Sequence, residues 1–205
     1  MTPAACLAEL GTATVGEVVA TARIIDPPIR PLAPEMIVAG PALTVRCQPG
    51  DNLALHLAIA ASQPGDVLVV DYGGSTESGP FGEIMALACQ VRGIAGMVID
   101  GSVRDSRSIV ATGFPVFCRG LNIRGTTKQH RGEIGGTIRL GSIKIERGDM
   151  VIADNDAIVV LSPDEATVAV SAGRVRAEKE AQMMARLRGG ETTLQILGLS
   201  EGDRK

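Results

Sequence analysis

Residues 71–105 read DYGGSTESGPFGEIMALACQVRGIAGMVIDGSVRD, and this stretch decides the fold. It opens on a strand end, passes through a glycine-rich loop into a helix, and continues as an apolar strand. A second loop then ends in Arg104-Asp105. The preceding run Val67–Val70 is wholly apolar, and Gly96–Asp100 has the same character. Short runs of this kind suit strands buried on both faces. Strand, helix, strand in that order predicts parallel neighbours. Both loops then open on one edge of the sheet, where open α/β sheets bind ligands. Glu83 stands in the first turn of the helix, twenty residues separate it from Arg104, and Asp105 follows at once. The loop amides lead into a helix N-terminus, which favours anions. Two acids and an arginine beside free amides suit a small anionic substrate and a divalent metal.

Working outward, Ala42–Cys47 alternates like a strand, and Asn52 precedes the helical run LALHLAIAAS as its cap. Ser106–Thr112 reads as a short helix and Pro115–Cys118 as a strand. Residues 3–10 predict a helix stopped by Gly11. Thr14-Val15-Gly16-Glu17 has the form of a capping box and starts a second helix to about Ala22. The segment IIDPPIRPLAPEM carries four prolines and reads as an irregular crossover. After residue 119 the chain turns polar and glycine-rich. Short strands follow at Thr137–Leu140, Ile143–Ile145, Met150–Ala153 and Ala157–Leu161, as a meander or barrel-like layer. Ser162 caps a long last helix to about Arg188, with Pro163 at its first position. Thr192–Leu197 is a small terminal turn or helix. The sum is one α/β unit over residues 1–205: a β-layered core with helices on its faces.

The composition narrows the function. A net charge of −3 gives no basic footprint for nucleic acid, and aromatic residues at 2% give no platform for stacking bases. No apolar stretch is long enough to span a membrane, and no secretory leader is evident, so a cytoplasmic protein is expected. Cys6, Cys47, Cys89 and Cys118 are scattered without a C-x-x-C pair and read as reduced thiols. His56 and His130 are the only histidines. They cannot build a histidine-rich zinc site, so a metal would have oxygen ligands, favouring Mg²⁺ or Mn²⁺.

Each candidate residue also has an ordinary reading. Arg104 can grip a carboxylate with both arms of its fork, or serve as a surface ion pair. Glu83 alone is what any first helical turn favours. The loop GGSTESGPFG fits neither nucleotide-binding pattern, and no lysine follows to hold a phosphate, so carboxylate binding by amides is preferred. Lys128, in RGTTK, is an electrophilic helper, a Schiff-base nucleophile or a solvated loop lysine. His56 reads as structural and His130 as solvated. Glu178 and Glu180 lie on the last helix, whose Met183, Met184 and Leu187 are placed to meet a neighbouring subunit.

GGSTESGPFGE, GIAGMVIDGSVRD, GFPVFCRGLNIRGTTK and GDMVIADNDAIVVL together resemble the RraA-like family, over about Thr12 to Leu199. The nearer branch is that of the 4-hydroxy-4-methyl-2-oxoglutarate/4-carboxy-4-hydroxy-2-oxoadipate aldolases. The most specific part is the acid, twenty residues, then Arg-Asp, here Glu83 and Arg104-Asp105. The branch often has Asp at the first position, one methylene shorter than Glu83. The resemblance implies a compact β/β/α fold of the swivelling-domain type, in trimers or dimers of trimers with active sites at subunit interfaces. It implies an oxo-acid substrate, Asp105 as ligand to Mg²⁺ or Mn²⁺, and Arg104 on the keto-acid end. The amides of Gly82, Glu83, Ile84 and Met85 would receive the pyruvyl carboxylate. Lys128 would lie near the site, and Glu180, better than Glu178, would approach from the adjacent subunit. Oxaloacetate decarboxylation is the expected side activity. A non-catalytic regulator binding a ribonuclease is the alternative.

Overall fold

The computed structural model describes residues 2–26 and 28–199. Helix α1 (Pro3–Val18) is capped by the Thr2 hydroxyl, which accepts the Ala5 N–H. Gly11, at φ 76°, breaks α1 into two segments joined by a kink, as its glycine predicts. The second segment stops at Val18, short of Ala22. No Thr14 capping box forms among the described residues. Asp154 instead accepts the Thr12 N–H at 2.8 Å and the Thr12 hydroxyl at 2.7 Å, and Glu17 pairs with Arg176 at 3.4 Å.

The proline-rich crossover, whose Pro27 lies outside the described residues, contains only β1 (Arg23–Ile24) and β2 (Arg30–Pro31). Then come β3 (Val38–Arg46), α2 (Leu53–Ala61), β4 (Val67–Asp71), α3 (Glu83–Val91), β5 (Gly96–Ile99), β6 (Ser102–Val103), α4 (Ser106–Thr112) and β7 (Val116–Cys118). Past them lie β8 (Gly120–Leu121), β9 (Glu133–Ile134), β10 (Ile138–Leu140), β11 (Ile143–Ile145), β12 (Met150–Ala153) and β13 (Ile158–Leu161). Helices α5 (Pro163–Arg188) and α6 (Thr193–Leu197) end the described chain.

The main sheet has the order β1-β13-β12-β3-β4-β5-β7-β2, with β9 also on β3. Strands β3, β4, β5 and β7 are parallel, as the alternation of strand and helix predicts. Strand β3 starts earlier than expected because its two halves have different partners. Val38–Pro41 pairs antiparallel with β12, and Ala42–Arg46 pairs parallel with β4. The expected meander is divided. Strands β10 and β11 form a separate hairpin, while β12 and β13 join the main sheet. Two bonds redirect the chain there: Gly148 N–H to Ala42 O at 2.9 Å and Ala42 N–H to Asp149 O at 2.8 Å.

The apolar run of β4 is buried on both faces. Leu68 and Val70 pack with Leu55, Met85 and Cys89 of α2 and α3. Val67 and Val69 pack with Ile138, Leu140 and Ile145 of the β10–β11 hairpin. Each such burial stabilises the fold by about 1.5–3 kcal/mol. The result is helix, sheet and hairpin in layers. A third cluster joins α1 and α5 to β12 and β13 through Leu7, Val15, Ile152, Val159 and Ala169. Ser162 and Glu165 form the predicted capping box of α5. Beyond Gly173 no residue of α5 is buried. No described helix is long and apolar enough to cross a membrane.

Candidate active site

The loop between β4 and α3 is fixed from several sides. The buried Tyr72 hydroxyl accepts the Gly50 N–H at 2.8 Å and shares a 3.0 Å bond with the Ser78 hydroxyl. Asn52 Nδ2 donates to Pro80 O at 2.9 Å. Gly74 N–H donates to Asp100 O at 2.9 Å, and the Asp100 carboxylate pairs with Arg119. A loop with this many internal bonds is part of the rigid frame, so the helix N-terminus behind it is preorganised.

The end of β6 carries Arg104 and Asp105 to the same place, since parallel strands β4 and β5 open their loops on one edge. Arg104 N–H donates to Phe81 O at 2.9 Å. Asp105 is the only described non-glycine residue at positive φ, 57°, which costs about 1 kcal/mol. That backbone turns its carboxylate back on α3. Oδ2 accepts the Glu83 N–H at 3.2 Å and lies 3.8 Å from Arg104 Nε. Oδ1 has no hydrogen-bond partner among the described residues, and both side chains are half-exposed. Gly82 allows this approach, because a Cβ there would collide with Asp105 Oδ2 and lie 3.1 Å from Arg104 Cγ and Nε. A cleft of about 660 Å³ opens here, lined by Val103, Arg104, Asp105, Leu121, Asn122 and Arg124.

Of the four amides expected to receive a carboxylate, two are engaged within the chain. Glu83 N–H is given to Asp105, and Met85 N–H to Gly82 O at 3.1 Å. Those of Gly82 and Ile84 have no partner among the described residues. Lys128 is exposed on the loop between β8 and β9. This loop borders the cleft: Asn122 N–H donates to Val103 O and Gly79 N–H to Arg124 O, both at 2.9 Å. His56 is held below its ordinary pKa by burial and by the Lys128 charge. Glu180 is not joined to these groups within one chain. It pairs with Arg176 at 2.8 Å, and with Glu178 lines a separate groove of about 580 Å³ between α1 and α5.

Two residues of the frame have a role that the sequence does not announce. Asn52, read as a helix cap, makes no capping bond; Nδ2 goes to Pro80 O, and its buried Oδ1 has no partner. The Asp51 carboxylate meets only donors, from Leu53, Thr127 and Gln129, which favours its ionised form. An Asp-Asn pair before an apolar helix carries no signal beyond capping.

Among the described residues no three His, Cys, Asp or Glu side chains are grouped to hold a metal. The described residues of one chain therefore do not by themselves form a zinc or calcium cage. A single carboxylate with a free Oδ1, beside Glu83 and an open cleft, fits Mg²⁺, which keeps most of its waters.

Residues 12–160 match the family described as RraA-like, Aldolase/RraA. A Halalkalibacterium halodurans protein named "Putative 4-hydroxy-4-methyl-2-oxoglutarate aldolase" is 37% identical over 158 residues, 77% of this chain and 75% of that one. A Geobacillus kaustophilus structure titled as an S-adenosylmethionine: 2-dimethylmenaquinone methyltransferase is 30% identical at a TM-score of 0.70, covering 74% of this chain and 94% of that one. An uncharacterized Pseudomonas syringae protein has the same fold at a TM-score of 0.84 and 24% identity, covering 94% of this chain and 95% of that one. With its matched span, its layered sheet and its Glu83…Arg104-Asp105 arrangement, this chain belongs to the RraA-like, Aldolase/RraA family.

Proposed function

We propose that the chain is a divalent-metal-dependent aldolase. It cleaves 4-hydroxy-2-oxo diacids such as 4-hydroxy-4-methyl-2-oxoglutarate to pyruvate and a second oxo acid, and decarboxylates oxaloacetate as a side activity. The observation that carries this reading is the bond from Glu83 N–H to Asp105 Oδ2. It brings both acids and Arg104 beside the free Gly82 and Ile84 amides. The name of the Halalkalibacterium relative supports the same substrate class.

In the reaction the C4 hydroxyl gives up its proton and the C3–C4 bond breaks. The bonding pair passes into a pyruvate enolate, which then takes a proton at C3. Gly82 and Ile84 N–H bind the pyruvyl carboxylate at the N-terminus of α3. Arg104 donates to the 2-oxo oxygen and meets its growing negative charge. Asp105 would hold Mg²⁺ or Mn²⁺, which supplies a Lewis acid when bound. The Glu83 carboxylate, in the first turn of α3, takes the hydroxyl proton and is the source of the proton that returns to C3. Lys128 adds a positive charge for a substrate with two carboxylates.

The site is completed by a second copy. Ile84 is 84% exposed and Val91 80%, with Leu87 between them on one face of α3, and Ile123 is 89% exposed beside the cleft. Exposed apolar residues grouped on one helix face suit a contact surface. Glu180, paired to Arg176 with Glu17 nearby, is not joined to the cleft within one chain, and on this reading it serves the site of a neighbouring subunit. On the same reading the assembly is a trimer or hexamer.

A coupled pyruvate-release assay with 4-hydroxy-4-methyl-2-oxoglutarate and oxaloacetate tests the reading. Activity is expected with Mg²⁺, and is lost with EDTA and in Arg104→Ala and Asp105→Ala. Activity that survives EDTA would move the chemistry to Lys128. Inactive protein that captures a ribonuclease would favour the regulator, and calorimetric binding of S-adenosylmethionine would favour a methyltransferase.

A further inference from the structure

Residues 50–52 tie the two loops of the proposed site to each other. Towards the glycine-rich loop, Gly50 N–H reaches the Tyr72 hydroxyl and Asn52 Nδ2 reaches Pro80 O. Towards the Lys128 loop, Thr127 N–H donates to Gly50 O at 2.9 Å and Asn52 N–H to Thr127 O at 3.0 Å. Asp51 sits at the centre, 2% exposed. Its Oδ2 accepts the Thr127 hydroxyl at 2.6 Å and the Gln129 N–H at 2.6 Å, and its Oδ1 accepts the Leu53 N–H at 2.9 Å. The residues on both sides of Lys128 therefore end on one buried oxygen.

Capping α2 does not explain this. A hydroxyl or amide would serve the Leu53 N–H as well, and the bonds to Thr127 and Gln129 add nothing to the helix. A buried charge is costly unless it is satisfied, and here every partner is a donor. Burial pushes the Asp51 pKa up, but the Thr127 hydroxyl and the backbone N–H groups outweigh it and hold the acid well below the usual range. An amide in its place must turn its NH₂ towards either Leu53 N–H or Gln129 N–H. One donor would then face another.

We propose that Asp51 is a positioning residue that fixes the backbone on either side of Lys128, in the loop that borders the proposed catalytic cleft. The Asp51 carboxylate thereby sets the distance between the cationic loop and the helix N-terminus that binds the carboxylate. The inference rests on the aldolase reading, and the experiment separates the two.

Wild type, Asp51→Asn, Lys128→Ala and the double variant are assayed for pyruvate release from 4-hydroxy-4-methyl-2-oxoglutarate with Mg²⁺. All four are assayed below their melting temperatures, with enzyme raised to keep Lys128→Ala turnover above background. Asp51→Asn is expected to lower kcat/KM by about 10- to 100-fold, and to add almost nothing in the Lys128→Ala background. The Gln129 amide should exchange faster in Asp51→Asn, which reads the clamp without turnover. If Asp51→Asn unfolds, Thr127→Val removes one of the two bonds and enters the same cycle, with a smaller loss expected. Unchanged activity, or an equal loss in both backgrounds, overturns the inference, because a purely structural acid would act without regard to Lys128. A wild type that makes no pyruvate fails the aldolase reading before any variant is compared, and removes this inference with it.

Discussion

Asp105 Oδ2 accepts the backbone N–H of Glu83 at 3.2 Å, joining residues 22 apart in sequence. The bond takes up one free donor of the α3 N-terminus and aims the remaining ones around the carboxylate. It depends on the missing side chain at Gly82. There φ is −147°, extended backbone open to any residue, so the demand is one of space.

Gly82→Ala should therefore separate site from fold. The added Cβ would collide with Asp105 Oδ2 and crowd Arg104. Pyruvate release should fall by about 100-fold or more, as a displacement near 1 Å does. Both groups are half-exposed and free to move outward, so the melting temperature should change little. Steady-state assay beside thermal denaturation checks both. An active Gly82→Ala enzyme would mean that the Asp105–Glu83 contact is not needed.

Asp154 offers a pH test remote from the site. Burial raises its pKa, but the Thr12 N–H and hydroxyl and the Asp156 and Ala157 N–H groups outweigh this and lower it. A group depressed on folding contributes stability above its unfolded pKa, about 3.9. That contribution is lost as pH falls through the lower folded value. Asp154→Asn should cost about 1–3 kcal/mol at pH 7, and the difference from wild type should shrink below about pH 4. Urea titrations across that range measure it. A difference that stays constant with pH would show that the charge is not what holds α1.

The parallel core was legible because β3, β4 and β5 are bounded by turn residues and separated by helices of ordinary length. The Glu83 and Arg104-Asp105 convergence followed from that topology, since two loops of parallel neighbours must open on one edge. What the sequence hid are contacts between distant parts of the chain. The N-terminus after Gly11 is capped by Asp154, 142 residues away, and not by the local Thr14. The division of the last strands depends on Gly148 and Ala42 meeting, which no local pattern records. Asp51 and Asn52 look like helix caps until the loops that they bind are in place.

Cys47, Cys89 and Cys118 should be inert in the native protein. Burial, with the Asp71 and Asp51 charges, pushes the Cys47 thiol up to about 12. Burial alone raises Cys89 to about 12, and burial raises Cys118 to about 11 against a smaller opposing effect of the Gly120 backbone. The thiolate is the reactive form, so Ellman's reagent at pH 8 should label none of the three before denaturation. Rapid labelling of any of them in folded protein would contradict their burial.

The last prediction concerns the second copy. If the α3 stripe is a subunit contact, Ile84→Glu with Leu87→Glu should yield a smaller species by light scattering, with unchanged far-ultraviolet circular dichroism. These positions are exposed in the single chain, so folding has no stake in them. Loss of activity with the smaller mass would fit a shared site but would not identify the shared residue. Mixing identifies it. Arg104→Ala subunits lack one half of the proposed site and Glu180→Ala subunits the other. Co-refolded together, they should regain part of the activity that neither has alone, because some interfaces then pair an intact Arg104 with an intact Glu180. Within one chain Glu180 is committed to Arg176, so no recovery would place that glutamate outside the chemistry, even in an oligomer.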